Sequence, residues 1–310
     1  VIWRALLPGF IFMVMQPSLT KAAPWLPPHQ ETRVVSSVSY EYGSSLQFQA
    51  QITTPETILR ATVFYRSQGL TADPVEATLE PSAPYLAFAS IDLRAQPLTP
   101  FATIEYWWRV DFETGGTFET VPATFRYEDN RFEWRELSDA SITVHWIDGA
   151  YEFGQAAWDI TASALTVISQ ELALRLPASL DVYIYPNISQ LQAGLRLGGR
   201  IWVGGHAEPE LGVVLLAVPP GAQERDRLER DLPHELMHIL LYERLGDRYS
   251  SLPVWLNEGL ATLQESSPRP EYHLALQVAA LNDRLLPLES LCAAFPFADA
   301  DAHLAYAQSA

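Results

Sequence analysis

The chain has 310 residues, 48% of them hydrophobic and 18% charged, which is ample material for about two packed domains. That balance excludes a disordered chain, which would be poor in apolar residues. The formal net charge of −17 excludes nucleic acid as a natural partner, because phosphate binding calls for a basic face.

At the amino terminus Arg4 precedes an apolar run over 5–15, and Ala22 and Ala23 follow. This is the layout of a secretory signal. The run contains Pro8 and Gly9 and falls short of the ~20 residues that cross a bilayer comfortably. Residues 1–23 are therefore read as a signal peptide, with an uncleaved membrane anchor as the alternative. Either places the bulk of the chain outside the cytoplasm, secreted or anchored at the cell surface. The first residue is Val, which fits an alternative start codon or a truncation. Pro24, Pro27 and Pro28 mark a linker over 24–33.

From 34 to 129 the pattern has period two. Leu46, Phe48, Ala50 and Ile52 are separated by Gln47, Gln49 and Gln51. Val38 and Tyr40, then Leu59, Ala61, Val63 and Tyr65, then Ile104, Tyr106, Trp108, Val110 and Phe112 repeat it. Such alternation makes half-buried strands. Turn signals such as Gly43, Pro55 and Gly115-Gly116 separate them. The expectation is an all-β sandwich resembling immunoglobulin-like or fibronectin-like modules. Trp107 falls on the outer face, where we read it as a partly covered aromatic in preference to a sugar or peptide contact.

After residue 130 the pattern changes to an α+β domain over 130–310. Ile142, Val144 and Trp146 read as a strand. Trp158, Ala162, Leu165, Ile168, Leu172 and Leu176 recur at helical spacing and predict one long amphipathic helix. Strands are predicted at 180–185, 201–203 and 213–218. A charged stretch over 223–230 leads into an apolar helix.

That helix carries His234-Glu235-Leu236-Met237-His238, an HExxH pattern. Residues i and i+4 share a helix face, so both imidazoles reach one ion, while Glu235 points to the side where water is activated. Independent draws from this composition give roughly 0.01 such patterns per chain, so chance is a poor explanation. With Cys292 as the only cysteine, thiolate zinc clusters are excluded and the site must use His, Asp or Glu. Pro233 disfavours a helix interior, so the helix is predicted to begin near Asp231 with Pro233 in its first turn. A catalytic zinc site needs a third protein ligand and an open position. Glu258, in Asn257-Glu258-Gly259-Leu260-Ala261, supplies it. The helix is expected to end at Gly246, the chain to turn over 247–251, and Pro253 to open a second helix. Gly259 and Ala261 would let the two helices pack closely.

HExxH followed by Asn257-Glu258-Gly259-x-Ala261 resembles the gluzincin metallopeptidases of clan MA, most closely the bacterial peptidase MA-like proteins. The resemblance implies Zn²⁺ held by His234, His238 and Glu258, with Glu235 as general base and Asn257 orienting a ligand. It also implies a downstream Tyr or His donating to the oxyanion. Tyr306 is the candidate, with a core tyrosine as the equal alternative and His303 as runner-up. The glycine-rich motif that holds a free amino terminus in aminopeptidases is missing from the sequence. Gly204-Gly205-His206-Ala207 stands where a substrate-binding edge strand would lie, and His206 is read as a loop histidine. His145 and His273 have no motif around them, and Cys292 reads as a small core residue. Ala310 falls inside a predicted helix, so the catalytic domain is expected to be truncated there.

The implied function is zinc-dependent hydrolysis of peptide or protein substrates. The alternatives are a non-catalytic extracytoplasmic binding protein with a structural zinc, or a metal-dependent hydrolase of a non-peptide bond.

Overall fold

The computed structural model describes residues 31–67, 69–80, 82–196, 204–266, 269–295 and 299–310. The signal or anchor segment, most of the linker and the strand predicted at 201–203 lie outside the described residues.

The described residues open with nine strands: β1 (Arg33–Glu41), β2 (Ser45–Thr53), β3 (Ile58–Ser67), β4 (Asp73–Glu76), β5 (Thr78–Glu80), β6 (Tyr85–Asp92), β7 (Thr103–Phe112), β8 (Thr117–Glu119) and β9 (Ala123–Arg126). One sheet has the order β1-β2-β6-β5 and the other β4-β3-β7-β8, with β9 also paired to β7. All these pairings are antiparallel. The period-two residues of β2 and β7 point into one shared core. There the Phe48 ring lies 6.0 Å from Tyr65 and 5.1 Å from Tyr106, across the two sheets.

Leu59 departs from the expected alternation and is 65% exposed. The β3–β7 register shifts between Ile58 and Arg60, so Ile58 takes the inward place. Trp107 is half-buried. Its ring stacks on Phe64 at 5.4 Å, and the Arg66 guanidinium lies 5.4 Å from its centre.

The rest of the chain alternates strands and helices. In order these are β10 (Arg135–Ser138), β11 (Ile142–Trp146), α1 (Tyr151–Glu171), β12 (Leu180–Tyr185), α2 (Ile188–Arg196), β13 (Gly205–Glu208), β14 (Val213–Ala217), α3 (Glu224–Leu245), α4 (Val254–Thr262), α5 (Pro270–Leu281) and α6 (Asp299–Ser309). The sheet order is β10-β11-β12-β14-β13. The three central strands are parallel and the two outer ones antiparallel. One face packs Val182, Ile184, Val214 and Leu216 against Phe153 and Leu165 of α1 and Leu232, Leu236 and Leu240 of α3. The other face packs Tyr183, Tyr185, Val213 and Leu215 against Leu191 and Leu195 of α2 and Phe101 of the β-rich part. Burial on both faces explains the nearly unbroken apolar runs of β12 and β14.

Three expectations need correction. The first helix stops at Glu171, leaving Leu172 and Leu176 exposed. Ala173 turns into the left-handed region, and Pro177 disfavours helix at Leu176. The HExxH helix begins at Glu224, so Pro233 sits inside it and the charged stretch forms its first turns. Proline removes the amide that would bond the Glu229 carbonyl. Burial of Leu228, Leu232 and Leu236 on either side of the break holds the helix together. Cys292 is exposed, in a turn that follows a 3-10 segment at Leu288–Leu291. Its Sγ lies 3.4 Å from the Leu288 carbonyl and meets no core.

The β-rich part and the mixed part meet at a polar junction. The Asp129 carboxylate is fully buried and accepts hydrogen bonds from Arg131 at 2.7 and 2.6 Å and from the Tyr185 hydroxyl at 2.9 Å. Tyr183 donates to Glu128 at 2.7 Å, and Arg126 pairs with Asp181 at 3.0 Å. Among the described residues no helix is long and apolar enough to cross a membrane.

Candidate metal centre

α3 and α4 bring the predicted residues together. α3 ends at Gly246, whose φ of +55° suits glycine. A 3-10 turn over Gly246–Ser251 reverses the chain, and Pro253 precedes α4. Glu258 then lies with its Oε2 3.4 Å from His234 Nε2 and 3.8 Å from His238 Nε2. One ligand atom from each residue falls within 4.8 Å of the others, a spacing a single ion can bridge.

The opposite edge of each imidazole is engaged from outside the centre. His238 Nδ1 lies 3.0 Å from Asn257 Oδ1, and His234 Nδ1 lies 3.0 Å from Glu265 Oε1. These acceptors favour the Nδ1–H tautomer and leave both Nε2 lone pairs for a metal. Asn257 is itself fixed, since its amide donates to the Tyr249 hydroxyl at 3.0 Å. Arg269 holds Glu265 through bonds of 2.6 and 2.9 Å. Two imidazoles and a carboxylate, converging with satisfied outer edges, fit a zinc ion in donor type and number.

In the metal-free centre the two rings differ in protonation. Burial lowers the His238 pKa and outweighs the Glu258 charge, so this ring is neutral and ready to bind. Burial also acts to lower His234, but hydrogen bonds to Glu258 and Glu265 win and raise it to about 10. Burial pushes the Glu235 carboxyl up to about 7, against the lowering effect of His234. Burial would raise Glu258 as well, yet the His234 hydrogen bond and the two imidazoles hold it below the ordinary range.

A cavity of about 900 Å³ opens onto the centre. Tyr306 of α6 lines it together with Tyr249 and Tyr272. Burial and the charges of Glu258 and Glu235 push the Tyr306 phenol well up, so it stays protonated. His303 instead packs its ring on Tyr272 at 4.9 Å. His206 lies in β13, a strand where a loop was expected, and its Nε2 is 2.7 Å from Glu208. His145 stacks on Tyr183 and bonds Asp181 at 3.0 Å, a structural role. His273 lies 3.0 Å from Gln277 on α5.

Sequence reasoning missed Glu265, Arg269 and Tyr249, and it placed Gly205 at an edge strand without its approach to Glu235. A Cβ on Gly205 would stand 2.5 Å from Glu235 Oε1. The strand backbone therefore approaches the carboxylate so closely that a side chain here would displace it. The Glu265–Arg269 pair has i,i+4 spacing, the one trace of the missed residues in the sequence.

Two imidazoles and a carboxylate from α3 and α4, beside the buried Glu235, form a cluster that could hold a metal ion. Residues 160–310 match the family model described as the Peptidase MA superfamily, of the gluzincin clan. Gluzincins typically bind zinc, and the match points to a zinc metallopeptidase-like function. No curated protein matches the chain. Solved structures that align include a β-1,3-glucan-binding domain of carbohydrate-binding module family 56, at 17% identity over 30% of this chain and 99% of that one, with a TM-score of 0.22. A purple acid phosphatase from yellow lupin, Lupinus luteus, aligns at 9% identity over 60% of this chain and 35% of its own, with a TM-score of 0.27. A laminaripentaose-producing β-1,3-glucanase from Paenibacillus barengoltzii aligns at 14% identity over 38% and 27%, with a TM-score of 0.23. Likenesses this weak carry no argument about the present chain.

Proposed function

We propose that this protein is a zinc-dependent peptidase. His234, His238 and Glu258 hold the ion, and Glu235 is the general base. The observation that carries the reading is the pair of outward Nδ1 contacts, to Asn257 and Glu265, which turns both Nε2 atoms toward Glu258. When bound, zinc supplies Lewis acidity, polarising a carbonyl oxygen and making water more acidic.

Glu235 takes the proton of the attacking water and passes it to the leaving amine. A carboxyl near 7 in the metal-free centre is lowered by a neighbouring dication, so Glu235 is ionised and able to accept at neutral pH. Tyr306, kept protonated by its surroundings, donates to the developing oxyanion, a contact worth about 2.7–4 kcal/mol where measured. β13 is last in the sheet order and lines the cavity, which gives an extended substrate a wall to lie against.

Residues 34–129 are assigned to an immunoglobulin- or fibronectin-like domain and 130–310 to the catalytic domain. The order β1-β2-β6-β5 facing β3-β7-β8 parallels the ABED and CFG sheets of such modules, which supports the first assignment. The pattern at residues 1–23 supports an extracytoplasmic location, secreted or anchored.

Glu235→Gln tests the chemistry. Elemental analysis should find about one zinc per chain, as in the unmutated protein, while casein or peptide-library cleavage falls at least ~100-fold. Full activity in that variant would refute the mechanism.

A further inference from the structure

The α3 wall of the cavity carries more than the histidine pair. Arg227, Arg230, Asp231, His234 and His238 all line it. Steps of three and four residues keep to one helix face, so these side chains form a single stripe. Arg230 donates to Asp231 at 2.8 Å, and Arg269 donates to Glu265 at 2.6 Å and lies 3.9 Å from Asp231. Arg227 differs. The acids at helical spacing from it are engaged elsewhere: Asp231 with Arg230, and Glu224 with the Gly221 amide at 2.7 Å. Among the described residues no carboxylate pairs with Arg227, although the side chain is half-buried. Removing a guanidinium part-way from water without a partner is unfavourable, and a ligand carboxylate would offset that cost.

We propose that Arg227 forms a subsite for a substrate carboxylate, so that the enzyme prefers peptides with an acidic group about three residues from the cleaved bond. This rests on the peptidase reading above. Seven residues separate Arg227 from His234, which is roughly 10 Å along the helix axis. An extended peptide covers that length in about three residues at ~3.3 Å each. The carboxylate can belong to an Asp or Glu side chain or to the substrate's carboxyl terminus. The net charge of −17 repels anions at long range, so the preference lies in the bound complex and not in faster encounter.

The test uses full-length, zinc-loaded Glu235→Gln protein, which holds peptides without cutting them. Fluorescently labelled decapeptides carry Asp or Asn at each position in turn, with a free or amidated carboxyl terminus. The expected result is about tenfold tighter binding of the Asp peptide at one position, the size of one charge-assisted contact. If the terminal carboxylate is the ligand, the tenfold difference appears between free and amidated peptides instead. Adding Arg227→Gln should bring the ratio near one, Arg227→Lys should restore part of it, and Arg227→Glu should favour a Lys peptide. Adding Arg225→Gln should leave the ratio intact, because Arg225 pairs with Glu229 at 2.7 Å outside the cavity. Equal binding of all peptide pairs overturns the proposal, as does a preference that survives Arg227→Gln. Cleavage of the same peptides by the unmutated protein separates the two readings. Binding preference without cleavage leaves the subsite standing and removes the peptidase, and cleavage without preference does the reverse.

Discussion

At the scale of single residues, the centre is defined by protons. His234 keeps its proton in the metal-free form up to a pKa of about 10, because Glu258 and Glu265 flank it. A metal needs the neutral ring, so zinc has to expel that proton. Near pH 8, zinc uptake should release about one proton from His234, and affinity should rise with pH until about 10. Calorimetric titrations in two buffers of different ionisation enthalpy measure the number directly, and zero release would contradict this account. The same proton stabilises the metal-free fold fully below about 6.5, and the contribution is lost as pH rises through about 10. Gly205 supplies a second residue-level expectation. In Gly205→Ala the new Cβ would meet Glu235 Oε1 at 2.5 Å and Leu216 Cδ2 at 3.1 Å. The carboxylate has to move, so hydrolysis should fall about tenfold or more while zinc content holds. Unchanged turnover would show that Glu235 tolerates displacement.

At the scale of elements, α4 and α6 approach closely at Gly259. A Cβ on Gly259 would collide with the Ser309 carbonyl oxygen, which belongs to backbone and cannot swing aside. Gly259→Ala should push the helices apart at a cost of about 1–3 kcal/mol, read as a lower urea midpoint. It should also weaken catalysis, because α6 carries Tyr306. The sequence made the elements legible where one rule governed. Alternation marked β2 and β7, and the i,i+4 rule marked His234 and His238. It misled where tertiary packing overruled a local preference, as at Pro233 inside α3 and at the β3 irregularity that exposes Leu59. The contact of Glu265 with His234 was not legible. It spans 31 positions, and no local pattern ties an outer acceptor to its histidine.

At the scale of the whole molecule, the two parts share a buried charge. Asp129 is fully enclosed and serves both Arg131 and Tyr185, while Trp134 donates to its main-chain carbonyl at 2.8 Å. Asp129→Ala leaves the guanidinium and the phenol without their acceptor. Because Arg131 is partly exposed, the cost should sit at the low end for a broken buried pair, about 3 kcal/mol. A single urea transition shifted as a whole would show that both parts unfold together, and an unshifted midpoint would contradict the account. This junction was illegible because Asp129 stands 56 positions from Tyr185 and the two meet only once the sheet has formed.

The tripeptide Asn257-Glu258-Gly259 acquires a different meaning from this arrangement. Consecutive residues on a helix point about 100° apart, so three of them sweep more than half the circumference. Asn257 faces His238, Glu258 faces both imidazoles, and Gly259 faces the backbone of α6. The three letters are a cross-section through a helix wedged between two others. None of them is exchangeable, and only the first two for reasons of chemistry. The third is set by the width of the gap.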